Sequence, residues 1–330
     1  MSTKIEWVKN PDGTAGKTWN PITGCTKISP GCAHCYAERM ACRQACMGNK
    51  SYQSVIHWRS DVSGLDYPGH ARKAAGDCHG HWNGKIAVVE DKFDEPLHWR
   101  KPAHIFVCSM ADLFHPKVRF GTILRVVRSI IYTPWNTYQI LTKRPSRMRE
   151  FFEYWMHMGT KAGYLDPMML ALDAGGPPIS GEQAARANEW YKTHCDQSGR
   201  GLCDLPIPWP LPNVWLGVTV ENADYTSRLD DLLATPAAVR FVSIEPMLGP
   251  LDLRPWIGGW DEDGHCIRCG LPREDDGPCD CPPGFGPKLD LVIVGGETGP
   301  GARPMHPAWV RDLRDQCVSA IVPFFFKGLG

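Results

Sequence analysis

Short apolar runs recur along the chain, separated by longer stretches with helical periodicity. Six runs read as strands: His104–Cys108, Thr137–Leu141, Val214–Val218, Val239–Ser243, Leu289–Val294 and Val322–Phe326. Each is brief and rich in Val, Ile or Phe, as strands buried on both faces of a parallel sheet are. Between them the pattern predicts helices over Ala33–Met47, Val118–Ile131, Ser146–Met158, Ala223–Leu233 and Pro307–Ala320. Strands alternating with helices argue for βα units. The expectation is an α/β fold, a full or partial (β/α) barrel. A flat doubly wound sheet is the alternative, because periodicity does not report closure.

Three stretches break this rhythm and read as insertions in one domain spanning 1–330. Residues 48–100 are irregular, with several His and Trp. Residues 159–212 hold Gly175-Gly176-Pro177-Pro178 and a Pro-rich run, with a helix expected near Gly181–Tyr191; so long a connection usually has a purpose. Residues 256–288 carry four cysteines amid Gly, Pro and Asp.

A formal net charge of +0 removes the argument from a globally basic surface for nucleic-acid binding, although a local basic groove remains open. No apolar run is long enough to span a bilayer, and the first ten residues lack a signal-peptide core. A soluble, cytoplasmic protein without membrane contact is expected. Fourteen cysteines is a high count where thiols stay reduced, and cysteines clustered at short spacing are then more often metal ligands than bridges.

Cys25, Cys32 and Cys35 place three thiols within eleven residues, ahead of a helix. Three thiolates can hold three irons of a [4Fe–4S] cubane and leave the fourth iron open. S-adenosylmethionine (SAM) can chelate that iron, and the reduced cluster can cleave its sulfonium bond to a 5′-deoxyadenosyl radical. Gly24, Pro30 and Gly31 supply turns for such a loop. The alternatives are a zinc site completed by His34, which is poorly placed between Cys32 and Cys35, or no metal.

Polar residues follow each proposed strand, where a barrel gathers its chemistry. They are Ser109 and Asp112; Thr142, Lys143 and Arg144; Thr219, Glu221 and Asn222; Ser243 and Glu245; Gly295, Gly296 and Glu297; and Lys327. Any one of them could equally be an ordinary cap or rim salt bridge. Arg144 beside Lys143 suits an anionic group. His34 and Tyr36 flank the last thiol of the loop; a ring there can pack on adenine or close the site to water. The second group, Cys266, Cys269, Cys279 and Cys281, offers four soft ligands from two short hairpins. It reads as a closed structural zinc knuckle, or as an auxiliary iron–sulfur cluster. Cys42 and Cys46, one helical turn apart, are assigned to packing.

The segment from Thr18 to Ala41 (TWNPITGCTKISPGCAHCYAERMA) closely resembles the signature of a phage-associated radical-SAM family with this wide cysteine spacing, catalogued as a domain of unknown function. The resemblance continues through FVCSMADLFHP, ILTKRPSRM, PNVWLGVTVEN, RFVSIEPMLGPLDL, VIVGGETGPGARPMHPAWVRDLRDQC and VPFFFKGLG. It implies a radical-SAM partial barrel and a [4Fe–4S] cluster on Cys25, Cys32 and Cys35. His34, Tyr36, Ser109, Asp112, Thr219, Glu221 and Ser243 would then hold SAM. Lys143, Glu245 and Glu297 become catalytic candidates, and Arg144, Asn222 and Lys327 substrate-binding ones.

Implied partners are a flavodoxin- or ferredoxin-like electron donor, DNA containing modified thymidine and a separate three-Cys-motif partner protein. The expected activity is radical-SAM hydrogen abstraction, with isomerisation of an amino-acid adduct of thymidine in phage DNA as the leading substrate. A free nucleotide or a partner protein is the alternative substrate, and a zinc-bound nucleic-acid-binding module without catalysis is the competing class. Family members commonly run on past Phe324–Gly330, so a short continuation is also expected.

Overall fold

The computed structural model describes residues 2–3, 5–58, 80–161, 174–175, 178–194, 210–258 and 288–330. Its contacts divide the chain into two units, 1–140 with 150–208, and 141–149 with 209–330.

The first unit is built on parallel strands β1 (Lys17–Trp19), β6 (His104–Val107) and β7 (Thr137–Thr142), β6 lying between the other two. The last two residues of β7 belong to the second unit. Ile105, Phe106 and Val107 are consecutive buried residues, the signature of a strand covered on both faces. Helix α3 (Phe120–Ile131) buries Ile123, Leu124, Val126, Val127, Ile130 and Ile131, one apolar stripe at helical spacing. Trp19 is enclosed, its indole N–H donating to Lys92 O at 2.6 Å. Phe114 and, from helix α4 (Pro145–Lys161), Phe151, Phe152 and Trp155 form an aromatic cluster.

The segment 48–100, expected to be irregular, contains small antiparallel pieces where it is described. Strand β3 (Ile56–Trp58) pairs with β4 (Gly80–Trp82), and β2 (Ile22–Thr23) with β5 (Ala87–Val88). Helix α1 (Tyr36–Cys46) packs its Ala37, Ala41, Cys42 and Ala45 face against Val55 and Ile56; the short helix α2 (Lys50–Gln53) follows it. The expected helix Gly181–Tyr191 is present as α5 (Gly181–His194).

The second unit is a parallel row, β8 (Val214–Thr219), β9 (Val239–Ile244), β10 (Leu291–Gly295) and β11 (Phe324–Gly328), paired in that order. In β9, Phe241 through Ile244 are all buried. Helices α6 (Ser227–Ala234) and α8 (Pro307–Ser319) contribute Leu229, Leu232, Val310 and Leu313 to the core; α7 (Arg254–Ile257) is one turn long. The fold is therefore α/β with parallel strands joined through helices. Among the described residues, no helix is long and apolar enough to cross a membrane.

Several boundaries are shifted by one to three residues, the last two strands starting at Leu291 and Phe324 rather than Leu289 and Val322, and two helices differ for local reasons. The helix expected from Ala33 begins at Tyr36, because Pro30–Cys32 form a 3-10 turn and Cys35 is extended at ψ 120°. The helix expected over Ala223–Leu233 is split into a 3-10 turn at Ala223–Tyr225 and α6.

Candidate active site

Each unit carries one cluster of the residues singled out above. In the first, Cys25 and Cys35 are half-buried and Cys32 is buried. Cys32 Sγ lies 3.5 Å from Ser29 Oγ, and burial pushes the Cys35 thiol up from its ordinary value. The loop that bears them is tied down at several points. Gly24 forms a parallel bridge to Ala111, and its N–H donates to Met110 O at 3.3 Å. Thr26 Oγ1 is 3.0 Å from His115 Nε2. His115 Nδ1 accepts from the Lys117 N–H, so a neutral ring has its proton on Nε2 and donates to Thr26. Lys27 reaches Glu38 at 2.7 Å, and Glu38, buried on α1, also accepts from the Trp82 N–H. Tyr36 is exposed, and its hydroxyl donates to Ser109 O at 2.8 Å.

Ser109 and Asp112 follow β6 as expected. Ser109 Oγ donates to Asn20 Oδ1 at 3.2 Å. Asp112 is buried, with Oδ1 accepting from the Phe114 N–H at 3.0 Å, so it shapes its own turn. His34 is exposed. Among the described residues, no three His, Cys, Asp or Glu side chains stand where one metal ion could bind them together. A mononuclear zinc site needs that convergence. A cubane spreads its three thiolates over three irons, and three soft sulfur donors on one anchored loop fit that demand.

In the second unit, three carboxylates at the strand ends are each clasped by a cation. Glu221, past β8, is fully enclosed and pairs with both Lys143 and Arg228, the latter at 2.9 Å. Arg228 also donates to Thr219 O at 2.7 Å and packs over the Tyr225 ring. Glu245, past β9, pairs with Lys327 at 2.7 Å and accepts from Ser243 Oγ at 3.2 Å. Glu297, past β10, takes a forked contact from Arg303 at 2.5 and 2.8 Å; this partner raises the Arg303 pKa, and the charge of Glu221 acts in the same direction. Thr219 and Ser243 are register partners and both buried. Arg144 is buried, its N–H donating to Thr142 Oγ1. Asn222 donates to Asp224 through Nδ2, and its enclosed Oδ1 meets no hydrogen-bond partner among the described residues.

Gly295 and Gly296, after β10, are closely approached by the chain itself. A Cβ at Gly295 would lie 2.6 Å from Glu245 Oε1, and one at Gly296 would collide with the Leu329 backbone.

Sequence reading missed Asn20, His115, Arg228 and Arg303. Arg228 left one trace, a cation among Leu229 and Leu232 on the buried side of α6. Of the two cysteines assigned to packing, Cys42 is buried as expected, whereas Cys46 is disulfide-bonded. The proposed knuckle, Cys266, Cys269, Cys279 and Cys281, lies outside the described residues.

Parallel strands joined through helices, with charged groups past their C-terminal ends, define an α/β protein. The chain belongs to the family described as protein of unknown function (DUF5131), which matches residues 2–330. No curated protein matches the chain, and no solved structure does.

Proposed function

We propose that the protein is a radical SAM enzyme. The observation that carries the reading is the anchored loop of Cys25, Cys32 and Cys35, whose two ends are tied to the tip of β6. These thiols would hold the [4Fe–4S] cluster, which, when bound, supplies the electron that cleaves SAM into methionine and a 5′-deoxyadenosyl radical. His34 and Tyr36 flank Cys35 in sequence, Ser109 is tied to Tyr36 through its carbonyl, and Asp112 follows on the same turn; in this reading they supply polar and ring contacts for SAM.

Glu245 and Glu297, oriented by Lys327 and Arg303, are the candidate proton-handling groups, and Lys143 is held against Glu221. Asn222 presents an enclosed acceptor, and Arg144 and Lys327 present cations, for a substrate. The substrate we propose is a thymidine in DNA bearing an amino-acid adduct, which isomerises after hydrogen abstraction. A base in duplex DNA has to be flipped out to react. A flavodoxin- or ferredoxin-like donor supplies the electron, and a three-Cys-motif protein is the candidate partner. Cys266, Cys269, Cys279 and Cys281 hold zinc or an auxiliary cluster in this reading.

The test is anaerobic. The chain is reconstituted with iron and sulfide, reduced and given SAM, and 5′-deoxyadenosine is measured by mass spectrometry. Product is expected from the native chain and not from Cys32→Ala. A colourless protein holding two zinc ions and making no product would hand the case to a zinc-bound nucleic-acid-binding module.

A further inference from the structure

The tip of β6 makes an abrupt turn. Cys108 adopts φ +58°, a left-handed conformation that costs a non-glycine residue and persists only where surroundings impose it. Its N–H is held by Trp19 O at 2.8 Å, and its carbonyl accepts from the Ala111 N–H at 3.1 Å. The turn brings one peptide unit, Ser109–Met110, under the cysteine loop. That unit is gripped on both sides. Its N–H, on Met110, donates to Asn20 Oδ1 at 3.0 Å, and its carbonyl, on Ser109, accepts from the Tyr36 hydroxyl at 2.8 Å. Asn20 Oδ1 takes a second bond from Ser109 Oγ. The next carbonyl, Met110 O, accepts from Gly24. Gly24 precedes Cys25 and Tyr36 follows Cys35, so the two contacts bracket the loop.

We propose that Asn20 is the positioning residue of the cysteine loop. A single side-chain oxygen fixes the orientation of the Ser109–Met110 peptide, and that orientation aims the two carbonyls that hold the loop's ends. A rotated peptide would release Tyr36 and shift the acceptor of Gly24 together. Both bonds at Asn20 end on Oδ1, so an aspartate preserves them and an alanine removes them. The link to cluster binding rests on the function proposed above; the clamp itself does not.

Two readouts on the full chain separate the claims. In metal-free protein, alkylation of each cysteine is followed by peptide mass spectrometry, with enclosed Cys42 as the folding control. In reconstituted protein, iron and sulfide content and the change in the cluster's electron paramagnetic resonance on adding SAM are recorded. Asn20→Ala is expected to speed alkylation of Cys25 and Cys35 about tenfold, the effect of losing a hydrogen bond's net contribution, with Cys42 protected. It is also expected to weaken the response to SAM. Asn20→Asp should match the native chain, or react more slowly because of its charge.

Native alkylation rates in Asn20→Ala, or equal acceleration in Asn20→Asp, would overturn the proposal. Should Cys42 open in Asn20→Ala, Tyr36→Phe decides instead: it must accelerate Cys35, and an unchanged rate overturns the clamp. A native chain that shows the alkylation pattern but takes up no iron would leave the clamp standing and remove the radical SAM reading. Normal cluster loading with unchanged alkylation in the variants would do the reverse.

Discussion

Glu221 illustrates how a single side chain commits its surroundings. Its carboxylate is enclosed completely, and both oxygens face cations, Lys143 on one side and Arg228 on the other. An enclosed charge survives only when paired, and removing one partner strands the rest. Replacing Glu221 by Ala would leave two cations facing a void, and a destabilisation of about 3–5 kcal/mol is expected, measured by urea unfolding. Glu221→Gln keeps the shape and one acceptor and should cost less. A loss under about 1 kcal/mol in the alanine variant would mean that the cations relax to other partners, against the arrangement described.

At the scale of elements, β8 and β9 meet at a position where one residue is shaped by its neighbour. Gly217 is the register partner of Phe241, and a Cβ on Gly217 would lie 2.6 Å from Cε1 of that ring. Gly217→Ala is therefore expected to cost about 1–3 kcal/mol through overpacking, read from the denaturation midpoint. Adding Phe241→Leu should return part of that loss, because the two changes share one volume. Strictly additive losses would place the ring elsewhere.

These elements also show what was legible beforehand. The strand expected over Val239–Ser243 announced itself by an apolar run whose Phe241, Val242 and Ser243 are buried, and the three cysteines by a spacing that is local in the chain. Strand β1 was invisible: Lys-Thr-Trp carries one enclosed residue, and only pairing with β6 makes it a strand. The strand-end carboxylates could be read from their places after apolar runs. Their partners Arg228 and Arg303, and Asn20 beneath the cysteine loop, could not, because pairing across intervening elements is decided by the fold rather than by spacing.

Across the whole molecule, two environments recur among the described cysteines, apart from buried Cys32 on the loop and disulfide-bonded Cys46. Cys25 and Cys35 are half-buried on a polar, tethered loop, whereas Cys42, Cys108 and Cys317 are enclosed and behave as small apolar side chains. Burial pushes Cys42 up to about 11 and Cys317 up to about 12, and moves Cys108 in the same direction, with Asp112 adding to the effect there. The consequence for stability has a definite sign. Below the ordinary thiol value of 9.0, both folded and unfolded chains keep these protons and nothing changes with pH. Above it the unfolded chain releases them first, so it binds fewer protons than the folded chain and stability falls as pH rises toward 11. Burial of Tyr138 and Tyr52 acts in the same sense. A melting temperature that declines from pH 9 upward is expected, and the decline should be shallower when Cys42 and Cys317 are both changed to Ala. An identical slope in that double variant would show that the enclosed thiols do not govern the alkaline limit.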